Sequence, residues 1–60
     1  MANERKSAIY QRAAYEAHQR GKAALNAGNV NGAMVEDDEA ANLALAAMLL
    51  RMRERSESQQ

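Results

Sequence analysis

The sequence predicts an all-α protein, an antiparallel two-helix hairpin that dimerises into a four-helix bundle, and three observations support this prediction. The 60 residues contain no Pro, Trp or Phe and only three Gly, and they are rich in residues that favour helix. The one strong turn signal, the sequence GNVNG at 28–32, divides the chain into two nearly equal arms. In both arms, apolar residues recur at helical spacing.

The first helix is predicted over about residues 3–27. Asn3 is the expected N-cap, and Glu4 would lie at the positive end of the helix dipole. One face consists mostly of small residues, and Gly21 lies on it. Because an interior glycine costs about 1 kcal/mol relative to alanine, we expect close packing of a neighbouring backbone there. The face contains Ala2, Ile9, Tyr10, Ala13, Ala14, Ala17, Gly21 and Ala24.

A short turn is predicted over 28–31. Gly28 can adopt the left-handed conformation that ends a helix, and Asn31 can accept a hydrogen bond from a free backbone N–H where the next helix begins. Because the connection is short, the two helices should run antiparallel. The second helix is predicted over about 32–55, followed by a disordered polar tail at 56–60.

The second helix has more apolar surface than one neighbouring helix can cover. Residues 40–50 read AANLALAAMLL, with Asn42 as the only polar side chain. A helix that is apolar on all sides must be buried on all sides, so we expect one apolar stripe to face helix 1 and the other to face a second copy of the chain. One stripe comprises Met34, Ala41, Leu45, Met48, Leu49 and Met52. The other contains the predicted dimer interface, Ala40, Leu43, Ala47 and Leu50.

Charge along the second helix is self-complementary. It begins with the acidic run at 36–39 and ends with Arg51, Arg53 and Arg55, so two antiparallel copies crossing near Leu45 would bring acids opposite bases. Within the hairpin, the same acids could instead approach helix 1, with Asp37 near Lys22 and Glu39 near Arg20. Both arrangements can coexist. Since exposed ion pairs contribute about 0–1 kcal/mol each, they would set register while apolar burial supplies the affinity.

Composition argues against several classes of function. Eight basic and eight acidic residues balance, so no net field attracts nucleic acid or an anionic membrane. With no cysteine and a single histidine, disulfides and thiolate metal sites are excluded, and neither a cofactor nor a metal is expected. Four consecutive helical acids point in four directions and cannot converge on one ion. No activated nucleophile or acid–base pair is present, so we expect no enzyme activity.

The expected location is the cytoplasm. The N-terminal stretch is charged and has no continuous apolar run of the kind found in signal peptides. The apolar segment at 40–50 is too short to span a bilayer, and no membrane contact is expected.

The function predicted from these features is that of a small non-enzymatic protein–protein interaction module, a regulator or adaptor that acts as a homodimer. Exposed aromatic residues are enriched among interface anchors, and Tyr15 lies away from the small-residue face. One alternative is a nucleic-acid accessory protein that uses the paired C-terminal arginine clusters, and another is a structural assembly subunit. The possible partner-binding residues are Tyr15, His18, Gln11, Gln19 and Lys22.

Residues 17–40 resemble part of a tetratricopeptide repeat. Gly21, Gly28-Asn29, Ala33 and Ala40 stand at the spacing of that family's small packing residues and turn. The match covers about two-thirds of one repeat. It departs at Ala17 and Asp37, where the repeat has bulky side chains, and a lone repeat cannot cover its own core. We interpret the resemblance as similar hairpin packing.

The first 30 residues, MANERKSAIYQRAAYEAHQRGKAALNAGNV, are similar in style to small accessory proteins of lambdoid bacteriophages. That resemblance implies a helical, non-enzymatic protein made early in infection. It would adjust host or phage development by binding a host or phage protein in the host cytoplasm. The resemblance assigns no functional residues.

Overall fold

The chain forms two antiparallel α-helices in a computed structural model that describes residues 4–58. Helix α1 spans Lys6–Asn26 and helix α2 spans Val30–Ser58. Ser7, near the start of α1, contacts Glu54, near the end of α2, whereas Arg20 of α1 contacts Glu36, near the start of α2. No strand occurs among residues 4–58. The predicted all-α helical hairpin is therefore confirmed.

The turn between the helices consists of three residues, 27–29, and backbone hydrogen bonds tie it to the end of α1. Gly28 has a φ of 81°, the left-handed conformation predicted for it. Its N–H donates to the carbonyl of Leu25 at 3.0 Å, and the N–H of Asn29 donates to the carbonyl of Ala24 at 2.8 Å. This pair of bonds is a Schellman motif, which satisfies carbonyls that the end of α1 would otherwise leave unpaired. The helix ends where the glycine permits the chain to reverse.

Asn29, not Asn31, caps α2. Its side-chain Oδ1 accepts a hydrogen bond from the Gly32 N–H at 2.9 Å, and its carbonyl accepts the first helical bond, from Ala33 N–H at 3.0 Å. An N-cap that accepts from the third helical residue satisfies one free donor of the first turn. Because Asn29 takes this role, α2 begins at Val30, two residues before the predicted start.

Both outer helix ends also differ from the prediction. Helix α1 begins at Lys6 with Arg5 at the cap position and no side-chain cap bond from Arg5, so Glu4 precedes the helix. The predicted cap, Asn3, lies outside the described residues. Helix α2 continues to Ser58, so residues 56–58 are helical and not a disordered tail. Residues 59–60 lie outside the described part of the chain.

The two helices pack along a seam of mostly small residues. Ala14, Ala17, Ala33 and Ala47 form the buried apolar core, and Ala17 is fully covered. Gly21 is also buried, and a Cβ built on it would lie 3.4 Å from the Cβ of Glu36. The expected close approach at Gly21 is thus confirmed. The seam comprises Ser7, Ala14, Ala17, Gly21 and Ala24 of α1 with Ala33, Glu36, Ala40, Leu43, Ala47, Leu50 and Glu54 of α2.

The hairpin is a single layer of structure. Its principal extents are 49 × 24 × 9 Å, so its thinnest dimension is about that of one helix. Globular domains are ordinarily built from at least two packed layers. Among residues 4–58, every large apolar side chain except Leu43 and Leu50 is exposed, and those two are half-buried.

Candidate interaction surfaces

An apolar stripe runs along the face of α2 that points away from α1. We call it the outer stripe. Its large side chains are more than half exposed, from Leu45 at 53% to Met34 at 62%. Successive residues on a helix differ by about 100° in direction, so Leu45 points nearly opposite to Leu43, which lies in the seam. The outer stripe comprises Met34, Ala41, Leu45, Met48, Leu49 and Met52.

The stripe that faces α1 is not the one that the sequence analysis expected there. The predicted dimer interface lies in the seam. Ala47 is 3% exposed, and Ala40, Leu43 and Leu50 are half-buried. Helix α1 already covers these four positions, so the apolar face that remains open is the outer stripe. The small residues Ala17 and Gly21 of α1 pack against the face of α2 that carries alanines. Side-chain size is therefore the sequence feature that could have identified which stripe faces α1.

The acidic run is divided between the hairpin and the open face. Arg20 donates from Nε to Glu36 Oε2 at 2.8 Å, and its Nη2 lies 3.8 Å from Glu39 Oε1. The predicted approach of Glu39 to Arg20 is therefore confirmed, and the hydrogen bond to Glu36 raises the pKa of Arg20. No salt bridge within residues 4–58 joins Asp37 to Lys22. Asp37 instead lies beside Gly21.

Four charged side chains next to the outer stripe take no part in the salt bridges between residues 4–58. Two are acids between Met34 and Ala41, and two are arginines that follow Met52. All four are exposed, so each is available to a second molecule. They are Asp37, Asp38, Arg53 and Arg55.

Glu54 joins the end of α2 to the start of α1. Ser7 is 5% exposed, and its Oγ donates to Glu54 Oε1 at 2.7 Å while its N–H donates to Oε2 at 3.3 Å. The carboxylate thus satisfies a free N–H of the first turn of α1 and lies at the positive end of that helix. The bond from the Ser7 hydroxyl is the main reason that the pKa of Glu54 is lowered, and the Ser7 N–H, Arg5 and Arg51 add to it. Sequence reasoning missed this contact because the two residues are 47 positions apart.

The predicted partner-binding residues lie on exposed positions of α1. Tyr15 is 64% exposed, and it is the most open aromatic side chain described. One member of the set has a partner within the chain, because Gln11 Oε1 accepts a hydrogen bond from Arg51 Nη2. The structure therefore leaves the rest of this face free for contact. The exposed members are Gln11, Tyr15, His18, Gln19 and Lys22.

The described residues form no enclosed chemical site. Two open depressions of about 220 and 250 Å³ lie on the flanks of the hairpin, and neither brings a nucleophile next to a base. Within residues 4–58, no three histidine, aspartate or glutamate side chains are placed to hold one metal ion. Neither α1 nor the described length of α2 has a segment long and apolar enough to cross a bilayer.

The chain was compared with models of protein families, with curated proteins and with solved structures. None of the three comparisons found a match.

Proposed function

We propose that this protein is a non-enzymatic protein–protein interaction module that acts as a homodimer, with the two α2 helices at the centre of a four-helix assembly. The observation that supports this proposal most is the outer stripe, an apolar face that extends from Met34 to Met52 along α2 and that no part of residues 4–58 covers. Contiguous exposed apolar surface on a small protein marks a site of association.

The total accessible surface supports the same proposal. The chain exposes 4886 Å², whereas a compact monomer of this mass exposes about 3,900 Å². The excess of about 1,000 Å² is similar to the area that each partner contributes to a standard protein interface, about 800 Å². A second hairpin packed on the outer stripe would supply the missing second layer of structure.

Sedimentation equilibrium from micromolar to millimolar concentration tests the proposal. We expect the mass of two chains over most of that range, because closed two-fold dimers are the commonest symmetric assemblies. A chain that remains monomeric and folded at millimolar concentration would contradict the proposal. A mass that rises without limit would instead indicate the structural assembly subunit, in which the interface propagates.

A matched pair of variants locates the interface. Leu45 and Leu25 are similarly exposed, at 53% and 59%, but only Leu45 belongs to the outer stripe. Leu45→Lys should abolish association, because a lysine at the centre of an apolar interface must be desolvated without a partner. Leu25→Lys should leave the dimer intact. Equal effects of the two substitutions would show that the association does not depend on the outer stripe.

We propose further that the dimer is a regulator or adaptor, in the manner of the phage accessory proteins it resembles, and that the Tyr15 face contacts a host or phage protein in the cytoplasm. Tyr15→Ala should weaken capture of that protein while sedimentation still gives the dimer, since the large ring would carry much of the contact energy. Leu25→Lys serves as the surface control. Unchanged capture by Tyr15→Ala would remove Tyr15 from the proposed contact.

A further inference from the structure

We infer that the outer stripe takes a second copy of this chain in the antiparallel orientation, with the two-fold axis near Leu45 and with Asp37 and Asp38 of each copy against Arg55 and Arg53 of the other. This inference rests on the proposed homodimer and gives it an orientation and a register.

Ala41 and Leu49, two apolar residues of the outer stripe, are placed symmetrically about Leu45, four residues to either side of it. Met34, at one end, and Met52, at the other, extend the apolar contact in both directions. A two-fold axis through Leu45 therefore brings Leu45 against its own copy and Ala41 against Leu49 of the second copy. An isologous interface requires such a self-complementary surface.

The free charges fix the orientation. The acid pair, Asp37 and Asp38, lies about two helical turns before Leu45, and the arginine pair, Arg53 and Arg55, lies about two turns after it. An antiparallel dimer places each acid pair beside the arginine pair of the other copy. A parallel dimer would place acids beside acids and arginines beside arginines, which is unfavourable across an interface.

The position of each charged residue around the axis of α2 indicates which residue of the second copy it meets. In an antiparallel two-fold pair, the same flank of each helix meets across the interface. Asp37 and Arg55 lie on one flank of the outer stripe, at the same angle about the helix axis, so they approach each other between copies. Arg53 lies on the other flank, and Asp38 lies within the stripe, about 20° from Leu45 on the side of Arg53. Arg20 pairs with Glu36 and Glu39, and none of these four side chains takes part in a salt bridge between residues 4–58.

Single-cysteine variants test the orientation, and the chain has no native cysteine to interfere. In the antiparallel dimer, Leu45→Cys should form an interchain disulfide on mild oxidation. The two-fold axis brings the two Cα atoms of residue 45 near each other, and a disulfide can bridge Cα atoms up to about 7 Å apart. Met34→Cys should not, since the two copies of residue 34 would be about 33 Å apart. Ala23→Cys, on the exposed side of α1, is the background control.

The outcomes separate this inference from the homodimer itself. Cross-linking of Met34→Cys as readily as Leu45→Cys would indicate a parallel dimer and overturn the inference while the homodimer stands. A dimer in sedimentation that fails to cross-link at Leu45 would overturn the register. A monomer in sedimentation would overturn both proposals.

Charge exchange gives an independent test. One variant carries Asp37→Lys with Asp38→Lys, and the other carries Arg53→Glu with Arg55→Glu. Each should self-associate at least about tenfold more weakly than the native chain, because like charges then meet across the interface. An equimolar mixture should form a heterodimer, in which every pair is again attractive. Exchange of Glu16 and Lys22 on α1 is the charge control. Failure of the mixture to associate better than either variant alone would overturn the pairing.

Discussion

At the scale of single residues, Asn29 takes part both in ending α1 and in beginning α2. Its N–H belongs to the closing motif of α1, and its side chain caps α2. The sequence indicated the turn through Gly28, which has to adopt a positive φ. It did not distinguish Asn29 from Asn31, because both asparagines precede Gly32 and either could cap a helix. The Schellman motif decides between them, since it ends at Asn29 and places this residue directly before the first turn of α2.

Replacement of Asn29 should therefore destabilise the protein, and replacement of Asn31 should not. Asn29→Ala removes the bond to the Gly32 N–H and should lower the free energy of unfolding by about 1 kcal/mol. Asn31→Ala, in the first turn of α2, should change it by less than about 0.5 kcal/mol, as surface substitutions ordinarily do. Urea denaturation at one fixed protein concentration measures both. If Asn31→Ala lowered the free energy of unfolding more than Asn29→Ala does, Asn31 would be the cap, as the sequence analysis predicted.

Gly21 gives a second test at this scale. A Cβ at this position would lie 3.0 Å from Asp37 Oδ1 and 3.5 Å from the carbonyl of Ala33. Because the Asp37 carboxylate is exposed and can rotate away, Gly21→Ala should stabilise the helix by up to about 1 kcal/mol. Gly21→Leu should destabilise the protein by about 1–3 kcal/mol, because the longer side chain forces the helices apart. Thermal unfolding compares the two, and a loss with alanine as large as with leucine would contradict this explanation.

At the scale of the helices, each end of the hairpin is closed by a contact of its own. The turn closes one end, and the bonds of Ser7 to Glu54 close the other. Helix α1 has no side-chain cap from its own N-cap residue, so the carboxylate from α2 acts as its cap. This arrangement makes the first turn of α1 dependent on the last turns of α2, although the sequence around Arg5 contains no signal for it.

Stability should fall in acid partly through Glu54. Its pKa is lowered in the folded chain from an ordinary value of 4.5, so its contribution is present above that value and is lost as the pH falls through the lowered pKa. The stability difference between the native chain and Glu54→Gln should therefore shrink as the pH is taken from 7 to below about 4. Urea titrations across this range provide the measurement. A difference that stays constant with pH would show that the charge of Glu54 is not what stabilises the contact.

The two faces of α2 show how far sequence could predict these helices and where it could not. Helical spacing identified two apolar stripes, and both exist. Hydrophobicity alone did not say which one faces α1, since Leu43 and Leu50 are as apolar as Leu45 and Leu49. The selection follows from size, because Gly21 and the alanines of α1 allow close approach of the face of α2 that carries Ala33, Ala40 and Ala47. The larger leucines and methionines of the outer stripe remain outside.

At the scale of the whole molecule, a single hairpin buries little apolar surface. No large side chain in the described part of the chain is fully buried, and domains of this size are ordinarily marginal even with a well-formed core. Alanine is the commonest residue of the seam, so few large side chains are buried between the helices. Which apolar stripe of α2 stays open could not be predicted from composition, because that depends on how α1 packs against α2.

The midpoint of thermal unfolding should consequently depend on protein concentration. If association on the outer stripe supplies the second layer, the midpoint of thermal unfolding should rise with concentration, as it does when folding is coupled to dimerisation. Leu45→Lys should give a lower midpoint that does not change with concentration. Circular dichroism measures the midpoint over a hundredfold range of protein concentration. Such a range changes the stabilisation by association by about 2.7 kcal/mol. A concentration-independent midpoint for the native chain would indicate a hairpin that is stable alone.

The shared role of Asn29 also sets the rotational phase of α2. Because one residue both finishes α1 and starts α2, no spare backbone exists in which an insertion or deletion could be absorbed. Adding a single residue to α2 immediately after its cap would rotate everything beyond it by about 100° relative to α1. The alanine face would then leave the seam and the outer stripe would turn onto a flank. The length of this turn therefore determines which side of the molecule is presented to its neighbours.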